Sequence, residues 1–284
     1  MRLRPAWSLS LCLLALIPCR AQERPFYFIM LSDTQLGMYA SNENFVQETA
    51  NYEFAVAAIN RLKPGFVIIL GDLVNKADDP AQTAEYQRIS QSIDPSIPVY
   101  HVAGNHDVGN EPTPDTLAAY RKSFGRDYYS FRAGPVYGIV LDSTLMHSPK
   151  NASAEYEEQN TWLKMELAAA KASPAQHILV FQHHPCFLKD AQEDDRYENL
   201  PRARRLPLLE LFHEYGVRHV FAGHTHMNVT AGDGKLQVVA TGPVGKPLGQ
   251  DGSGIRVAAV TASGVEHRYY DFGVLPDKLA IPSK

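Results

Sequence analysis

Cysteine is scarce in this chain of 284 residues and occurs only at Cys12, Cys19 and Cys186. The first two lie in an apolar N-terminal segment that we expect to be removed. Only Cys186 would then remain, which excludes an intramolecular disulfide. A chain of this length can build an adequate hydrophobic core without one. Stability must therefore come from side-chain packing and from any bound metal.

Long hydrophobic runs are also missing beyond the N-terminus. Residues 7–17 are almost wholly apolar and follow Arg2 and Arg4, and the segment 19–21 offers small residues to a signal peptidase. A run of about 11 residues is shorter than the roughly 20 that a membrane-spanning helix needs. We therefore predict a signal peptide over residues 1–21, a secreted or periplasmic protein, and no membrane span after its removal. A transmembrane anchor and a lipoprotein anchor at Cys19 are the weaker alternatives.

Positive charge is not in excess. The formal net charge is −4, and residues 1–21 contain three arginines and no acidic residue, so the remaining chain carries −7. This balance argues against nucleic acid as a general partner. It does not exclude a phosphate substrate, because bound metal ions would reverse the sign of the field locally.

Three catalytic motifs are absent as well. The chain has no G-x-S-x-G elbow, which argues against Ser/His/Asp hydrolysis on an α/β-hydrolase fold. It has neither a G-x-x-x-x-G-K-[ST] loop nor a dinucleotide fingerprint, so nucleotide hydrolysis of the P-loop kind is not expected.

Short hydrophobic runs alternate with amphipathic segments along most of the chain. Strands are predicted at residues 26–31, 66–70, 99–102, 128–131, 136–141, 177–181 and 219–221, and helices at residues 45–62, 81–93, 154–172 and 206–215. The connection over residues 132–135 contains Gly and Pro, which indicates an antiparallel hairpin. The tail over residues 236–270 alternates β-like runs with Gly-rich turns. This order predicts an α/β fold with two sheets inside and helices outside, in one domain over residues 22–284.

Polar residues cluster directly after the predicted strands, where the following loops converge on one edge of a sheet. They form five segments: Asp33-Thr34-Gln35, Gly71-Asp72-Leu73-Val74-Asn75, Gly104-Asn105-His106-Asp107, His183-His184-Pro185 and Gly223-His224-Thr225-His226. Each segment alone is a weak signal, because a single Asp at a strand end is often a turn or cap residue. Asp142 is expected to be such a residue. The ordered series beside five strand ends is what indicates a site.

Metal chemistry explains these side chains better than a protein nucleophile does. Carboxylate, amide and imidazole groups together suit Mn, Fe, Zn or Mg, and no thiolate is needed. A carboxylate such as Asp72 can bridge two cations, and two cations about 3.5–4 Å apart can activate a water for attack at phosphorus. Gly71, Gly104 and Gly223 are expected to let the backbone turn sharply beside the cations.

The five segments resemble the calcineurin-like metallophosphoesterase superfamily, whose pattern is D-x-H, G-D-x-x-[D/N], G-N-H-[D/E], a later His and G-H-x-H. The matches span residues 33–226, about two-thirds of the chain, and GNHD followed by GHTH is a specific combination. The resemblance implies a four-layer α/β sandwich of two mixed β-sheets flanked by helices. It also implies a metal-dependent hydrolase of phosphate esters with two divalent metal ions and a metal-bridging hydroxide as the nucleophile.

The resemblance further implies roles for individual residues. The first metal would be held by Asp33, Asp72 and His226, and the second by Asp72, Asn105, His183 and His224, with Asp72 bridging. His106 would stabilise the developing charge or protonate the leaving oxygen, and Asp107 would orient it. His183 is preferred to His184 because the family's ligand usually lies two residues before the proline.

One residue departs from the family pattern. The second ligand of the first segment is normally His, and here it is Gln35, which offers a neutral amide oxygen and no imidazole nitrogen. The first metal site is therefore expected to be weaker and richer in oxygen, and to favour harder ions such as Mg or Mn. A similar Gln occurs in the subgroup that resembles calcineurin-like phosphoesterase domain-containing protein 1, so activity is not excluded.

The expected substrate is a phosphomonoester or phosphodiester carried by a small molecule or a protein. Specificity would come from loops at residues 37–45, 108–116, 187–200 and 242–253. Four residues in or beside these loops are either substrate contacts or, equally, packing or solvated residues: Tyr39, Phe187, Tyr197 and Lys246. The alternative from another class is a metal- or phosphate-binding protein that kept the fold without turnover. Gln35 is the feature that favours this alternative.

Overall fold

The structure of the protein, a computed structural model, describes residues 25–280. The described strands are β1 (Phe26–Leu31), β2 (Val67–Ile69), β3 (Val99–His101), β4 (Tyr129–Ala133), β5 (Val136–Val140), β6 (His177–Phe181), β7 (His219–Ala222), β8 (Val229–Gly232), β9 (Gln237–Ala240), β10 (Gly254–Thr261) and β11 (Gly264–Asp271). The described helices are α1 (Val46–Leu62), α2 (Pro80–Ser90), α3 (Asn105–Val108), α4 (Pro114–Phe124), α5 (Ser143–His147), α6 (Ser153–Ala172) and α7 (Arg202–Tyr215). Among these helices, none is both long and apolar enough to cross a membrane. The predicted signal peptide over residues 1–21 lies outside the described residues.

The strands form two sheets, each of which mixes parallel and antiparallel pairs. The first has the order β11-β10-β1-β2-β3 and the second the order β4-β5-β6-β7-β9-β8. Neighbours are parallel from β1 to β3 and from β5 through β6 and β7 to β9. The other pairs are antiparallel, including the predicted hairpin of β4 and β5. Because parallel strands all end at one edge, each sheet gathers its following loops there.

The strand β1 shows how the layers arise, because alternate side chains of a strand point to opposite faces. Phe28 and Met30 belong to a core between the two sheets. Ile29 and Leu31 belong to a second core that includes residues of α1, α2 and α4. A third core joins the second sheet to α6 and α7. The order helix, sheet, sheet, helix confirms the predicted four-layer sandwich.

Aromatic rings fill the centre of the layer between the sheets. The ring of Phe28 stacks on Phe66 with centroids 4.6 Å apart, and it meets Phe181 edge-on at 5.9 Å and Phe221 at 6.0 Å. All four side chains are fully buried. Truncating a buried Phe to Ala typically destabilises a protein by about 3–5 kcal/mol. This cluster therefore holds the two sheets, and with them the two halves of the site, in a fixed relation.

Some elements differ from their prediction. The helix α4 was not predicted, although Thr113 caps it by accepting the backbone N–H of Thr116 at 3.2 Å and Pro114 occupies the first turn, a known start signal. The helix α7 begins at Arg202, earlier than predicted, and contains Pro207. Asp142 accepts the backbone N–H of Thr144 at 2.9 Å and so caps α5, in agreement with its expected turn role.

Candidate metal centre

The five predicted segments meet at one edge of the sandwich, where the parallel strands of both sheets end. Asp33, Asp72 and Asn105 follow β1, β2 and β3, whereas His183 and His224 follow β6 and β7. Each of these five side chains is at most 6% exposed. The packing of the two sheets therefore brings carboxylates from one sheet against imidazoles from the other.

The backbone at this edge is strained. Five predicted ligands have φ between 38° and 71°, in the left-handed region: Asp33, Gln35, Asp72, His224 and His226. This region crowds Cβ against a carbonyl oxygen and costs roughly 1–2 kcal/mol for a residue other than glycine. Such strain persists only where the surroundings enforce it, and it is concentrated at functional sites.

The glycines of the motifs have two different roles. Gly71 has φ +87° and forms the sharp turn that was expected. Gly104, in contrast, has φ −110°, and a Cβ there would lie 2.2 Å from the backbone nitrogen of Asp72. Gly104 is therefore required for close approach of two backbone segments and not for a turn, which corrects the expectation.

A first group of possible metal ligands consists of Asp33, Asp72 and His226, with one ligand atom from each lying within 4.8 Å of the others. His226 Nε2 is 3.4 Å from Asp33 Oδ1, and its Nδ1 is 2.6 Å from the backbone oxygen of Lys246. That carbonyl fixes the proton on Nδ1 and leaves the Nε2 lone pair facing the carboxylate. Burial raises the pKa of Asp33, although His226 opposes the shift, and a bound cation would favour its charged form.

A second group, Asp72, His183 and His224, shares Asp72 with the first and is equally compact. His183 Nδ1 is 2.7 Å from the backbone oxygen of Leu70, and His224 Nε2 is 3.0 Å from that of Tyr197. Both nitrogens must carry protons in order to donate to carbonyl oxygens. The remaining nitrogens, His183 Nε2 and His224 Nδ1, then lie only 3.2 Å apart. At this distance one of the two nitrogens must carry a proton and donate it to the other, or a cation must take the place of that proton.

The charges around Asp72 also require a positive charge beside this carboxylate. Burial alone would raise the pKa of Asp72, but His183, whose Nε2 is 3.3 Å from Oδ2, outweighs it and holds this pKa below its ordinary range. Burial likewise lowers the pKa of His183, but Asp72 outweighs it and raises the pKa to about 9. The protein's own groups thus retain a positive charge here, and a divalent cation can take the place of the proton.

Two amide side chains complete the set of donors. Asn105 Nδ2 donates to the Tyr197 hydroxyl at 3.0 Å, which leaves Oδ1 facing His183 Nε2 at 3.0 Å. Gln35 Oε1 is buried and, within residues 25–280, has no hydrogen-bond partner. An unpaired buried carbonyl oxygen costs about 1–3 kcal/mol, a penalty that a cation bound to it would remove. Carboxylate, amide and imidazole donors in this arrangement fit divalent metal ions.

His106 lies beside both groups. Its backbone N–H donates to Asp72 Oδ1 at 2.8 Å, and its Nδ1 is 2.9 Å from the backbone oxygen of Asn75. Because a carbonyl oxygen can only accept, Nδ1 carries the proton and Nε2 is the nitrogen that can exchange one. This geometry suits the expected role in proton transfer.

Asp107 has a different position from the one expected. Its carboxylate accepts the backbone N–H groups of Leu73 at 2.9 Å, Val74 at 3.3 Å and Gly104 at 2.9 Å. The His106 ring is instead held by Asn75. Asp107 thus ties the turn after Asp72 to the start of α3, and it orients His106 only through the backbone.

The adjacent histidines at 183 and 184 are clearly distinguished. His183 contacts Asp72, whereas His184 Nδ1 is 3.1 Å from the Ser143 hydroxyl and its ring stacks on His147 at 4.6 Å. The structure therefore places His183, the preferred candidate, in the second group.

The four candidate substrate contacts differ in burial and in their neighbours. Phe187 is fully buried in the core beneath the second sheet, so of the two alternatives it is a packing residue and not a substrate contact. Tyr197 is half exposed, and its ring lies 4.7 Å from that of His224. Lys246 Nζ lies 5.8 Å from the Tyr39 ring centroid. Sequence reasoning missed the backbone carbonyls that orient the four imidazoles of the site, because a carbonyl has no residue signature.

A four-layer α/β sandwich that directs carboxylate, amide and imidazole donors into two adjoining groups with one shared aspartate defines a metal-dependent phosphoesterase. The comparisons with known proteins agree with this class. Residues 26–228 match the calcineurin-like phosphoesterase family. The chain belongs to this family and is a metal-dependent hydrolase of phosphate esters, as predicted.

Curated relatives cover most of the chain. It is 38% identical over 274 residues to serine/threonine-protein phosphatase CPPED1 of Bos taurus, which covers 91% of this chain and 88% of the relative. The Homo sapiens protein of that name is 37% identical over 270 residues, covering 89% and 86%. These similarities confirm the predicted subgroup.

Solved structures show the same fold at low identity. A purple acid phosphatase from yellow lupin seeds has a TM-score of 0.65 and 12% identity, covering 90% of this chain and 53% of that one. A dimetal phosphatase from Danio rerio has a TM-score of 0.58 and 16% identity, covering 88% and 100%. GAP50, the anchor in the inner membrane complex of Plasmodium, has a TM-score of 0.63 and 16% identity, covering 92% and 90%.

Proposed function

We propose that the centre binds two divalent cations that share Asp72. The first would be held by Asp33, Gln35, Asp72 and His226, and the second by Asp72, Asn105, His183 and His224. The observation that carries the proposal is that one buried carboxylate belongs to both groups, each with ligand atoms within 4.8 Å. A single cation would leave one group without its counter-charge.

Bound cations would supply an activated water and neutralise the charge on the phosphoryl oxygens. The chain's own side chains position the phosphate and move protons. His106, with its Nδ1 proton fixed on Asn75, would donate from a protonated Nε2 to the leaving oxygen or to a phosphoryl oxygen. Burial of the ligands on both sheets keeps bulk water away from the charged groups.

The two sites differ in their donors. The first would have two carboxylates, one amide oxygen and one imidazole, a set that favours harder ions such as Mn or Mg. The second would have two imidazoles, which Zn, Fe and Mn all accept. We therefore expect Mn to fill both sites and Zn to prefer the second.

We infer that the substrate is a phosphoserine or phosphothreonine side chain of a protein. The relatives named serine/threonine-protein phosphatase support this, since they align over most of their own length. Exposed apolar side chains in the loops around the centre also support it: Tyr39 38%, Tyr197 50%, Met227 38% and Leu248 59% exposed. Such an apolar rim could contact the residues on either side of a phosphorylated side chain.

The test uses metal-stripped protein refilled with Mn, Mg, Zn or Fe. The substrates are p-nitrophenyl phosphate, bis-p-nitrophenyl phosphate and phosphoserine and phosphothreonine peptides. We expect metal-dependent turnover with monoester preferred to diester and peptide preferred to p-nitrophenyl phosphate. His106→Ala should lower kcat by about 10²–10⁴-fold with metal content unchanged.

His213→Ala is the matched control, since that histidine bonds Asp233 at 2.8 Å near the turn between β8 and β9, at the opposite end of the second sheet. It should leave kcat unchanged. Metal binding without turnover on any substrate would favour the non-catalytic alternative. Preference for the diester would overturn the phosphoprotein assignment.

We also propose that the protein acts outside the cytoplasm, in a secreted or periplasmic location. Support comes from the positively charged start and short apolar run within residues 1–21. Expression of the full chain followed by N-terminal sequencing of the exported fraction tests this. A cleaved product beginning near residue 22 is expected, whereas intact chain in the cytosol alone would contradict it.

A further inference from the structure

A chain of amide side chains connects helix α2 to the predicted ligand Gln35. Gln35 Nε2 donates to Asn75 Oδ1 at 3.1 Å, and Asn75 Nδ2 donates to Asn42 Oδ1 at 2.8 Å. Gln82, at the start of α2, donates from Nε2 to the same Asn42 oxygen at 2.9 Å. These four residues, Gln35, Asn75, Asn42 and Gln82, form what we term the amide relay.

The polarity of the relay is fixed at its far end. An amide side chain can present either its oxygen or its NH₂ group in the same shape. Gln82 has no such choice, because its Oε1 accepts the backbone N–H groups of Asn75 at 3.1 Å and Lys76 at 2.9 Å. A backbone N–H can only donate, so the Gln82 oxygen must face it and the NH₂ group must face Asn42.

The orientation of each following amide is then determined by the amide before it. Asn42 must present its oxygen to Gln82, and Asn75 must present its NH₂ group to that oxygen. The Asn75 oxygen then faces Gln35, which must donate to it from its NH₂ group. The oxygen of Gln35 is thereby turned the other way, and this is the buried atom that has no hydrogen-bond partner within residues 25–280.

The surroundings of the relay are built to hold it. Gln82 is only 1% exposed on its helix. Gly37 has φ +110°, and a Cβ there would lie 2.6 Å from Gln82 Nε2 and 2.9 Å from Asn42 Oδ1, so only glycine leaves the relay room. Ser41 and Asn42 have φ of 51° and 70°, a strained turn that carries the exposed Asn42 to Gln82 and Asn75.

We propose that Gln82, Asn42 and Asn75 are positioning residues that keep the oxygen of Gln35 turned toward the first cation. The proposal rests on the two-cation centre proposed above and deepens it. A free Gln35 amide could turn its NH₂ group toward a cation and repel it. The relay removes that state, so that a neutral oxygen serves reliably where relatives of the wider family use an imidazole.

Asn75 links this relay to the proton-transfer residue. Its side chain contacts Gln35, its backbone N–H contacts Gln82 and its backbone oxygen holds His106 Nδ1. One residue thus sets both a ligand of the first cation and the tautomer of His106. For this reason, substitutions of Asn75 would confound the two effects, and the test uses residues farther along the relay.

The test compares two variants that add the same negative charge with opposite consequences for polarity. In Gln82→Glu, the side chain still accepts from Asn75 and Lys76 but has no NH₂ group for Asn42, so the relay must invert. In Asn42→Asp, the side chain still accepts from both neighbours, so the polarity is kept. The readout is the number and affinity of Mn²⁺ ions bound per chain, by calorimetric titration and electron paramagnetic resonance.

Wild type should bind two Mn²⁺ ions, and Gln82→Glu should weaken one of them at least tenfold. Asn42→Asp should leave the affinity for both Mn²⁺ ions unchanged or higher, because added negative charge by itself attracts cations. In a Gln35→Ala background, which weakens the first site, Gln82→Glu should have no further effect.

Equal Mn²⁺ affinities in Gln82→Glu and Asn42→Asp would overturn the proposed role of the relay. A further loss of Mn²⁺ affinity on adding Gln82→Glu to Gln35→Ala would also overturn it. Circular dichroism and thermal unfolding of the metal-free variants show whether any loss reflects misfolding. If wild type binds fewer than two Mn²⁺ ions, the two-cation centre itself is wrong and the relay falls with it.

Discussion

Tyr197 makes three contacts with the second group of ligands. Its hydroxyl accepts from Asn105 Nδ2 at 3.0 Å, its backbone oxygen accepts from His224 Nε2 at 3.0 Å, and its ring covers the His224 ring. Ligands of a metal are normally held by such outer contacts, which fix their orientation. Only the hydroxyl contact depends on the identity of this side chain as tyrosine.

Tyr197→Phe should therefore weaken the second cation site selectively. The variant removes the acceptor for Asn105 and keeps both the ring and the backbone oxygen that hold His224. Loss of one hydrogen bond is worth about 1 kcal/mol, which corresponds to roughly a fivefold weaker affinity for Zn in calorimetric titration. Tyr39→Phe, which alters a tyrosine beside Lys246, is the control and should leave affinity unchanged. Equal Zn affinity in both variants would rule out this role for the hydroxyl.

The loop that carries Tyr197 is held in place by a buried arginine of a neighbouring helix. Arg205, in α7, is fully buried, and its guanidinium donates to the backbone oxygens of Ala191 at 3.0 Å, Leu200 at 2.9 Å and also Glu193. Burying an arginine is costly unless its N–H groups are paired. Here they are paired with the loop itself, so the loop is rigid although it lacks regular secondary structure.

Arg205→Met should loosen this loop. The carbonyl oxygens would lose their donors, and we expect the free energy of unfolding to fall by about 3 kcal/mol, within the range for breaking a buried polar network. Amide hydrogen exchange of residues 187–199 should accelerate more than that of α6. Arg218→Met, which changes an exposed arginine whose side chain donates to the backbone oxygen of Lys235 outside this loop, serves as the control. Uniform exchange across the chain would mean that Arg205 supports the fold generally and not this loop.

The elements differ in how far the sequence predicted them. The strands β1, β2 and β6 were evident because each contains a continuous run of apolar residues. The helix α4 was missed because only Leu117 and Tyr120 are buried in it, so its apolar periodicity is weak. The start of α7 was placed too late, because the residues of its first turn are mostly polar. That turn gives no apolar signal, although its Arg205 is buried.

For the whole molecule, partly buried neutral histidines contribute to the loss of stability in acid. Burial lowers the pKa of His101 and His219 to about 4. Burial, aided by Arg256, lowers that of His267 to about 3. These rings stay neutral in the folded state, whereas in the unfolded chain they bind protons below about pH 6.5. Stability is therefore lost as pH falls from about 6.5, by up to about 1.4 kcal/mol per pH unit for each ring.

His267→Gln should reduce this acid sensitivity. His267 Nδ1 lies 3.0 Å from Arg256 Nη1, which can only donate, so a proton on Nδ1 would face another N–H group. A glutamine oxygen can accept there without titrating. In urea unfolding of metal-free protein, the loss of stability between pH 6.5 and 4.5 should be smaller than in wild type by about 1–2 kcal/mol. Parallel pH curves for the two proteins would contradict the prediction.

The sequence by itself determined the class of the protein, because ligand chemistry is tied to residue type and to position after a strand. Apolar runs followed by polar segments predicted a two-sheet α/β fold and a metal site, and the resemblance of those segments to the calcineurin-like pattern implied the four-layer sandwich and the phosphoesterase activity. Periodicity and motif spacing are local properties, and they are visible in one chain.

Only the tertiary structure decided how the ligands are held. It distinguished His183 from His184, moved Asp107 from the His106 ring to three backbone N–H groups, and buried Phe187 in a core. It also joined Gln82 to Gln35 through Asn42 and Asn75. The physical reason is that these contacts join residues far apart in sequence, often through backbone groups, and only the packing of two sheets brings them within hydrogen-bond distance.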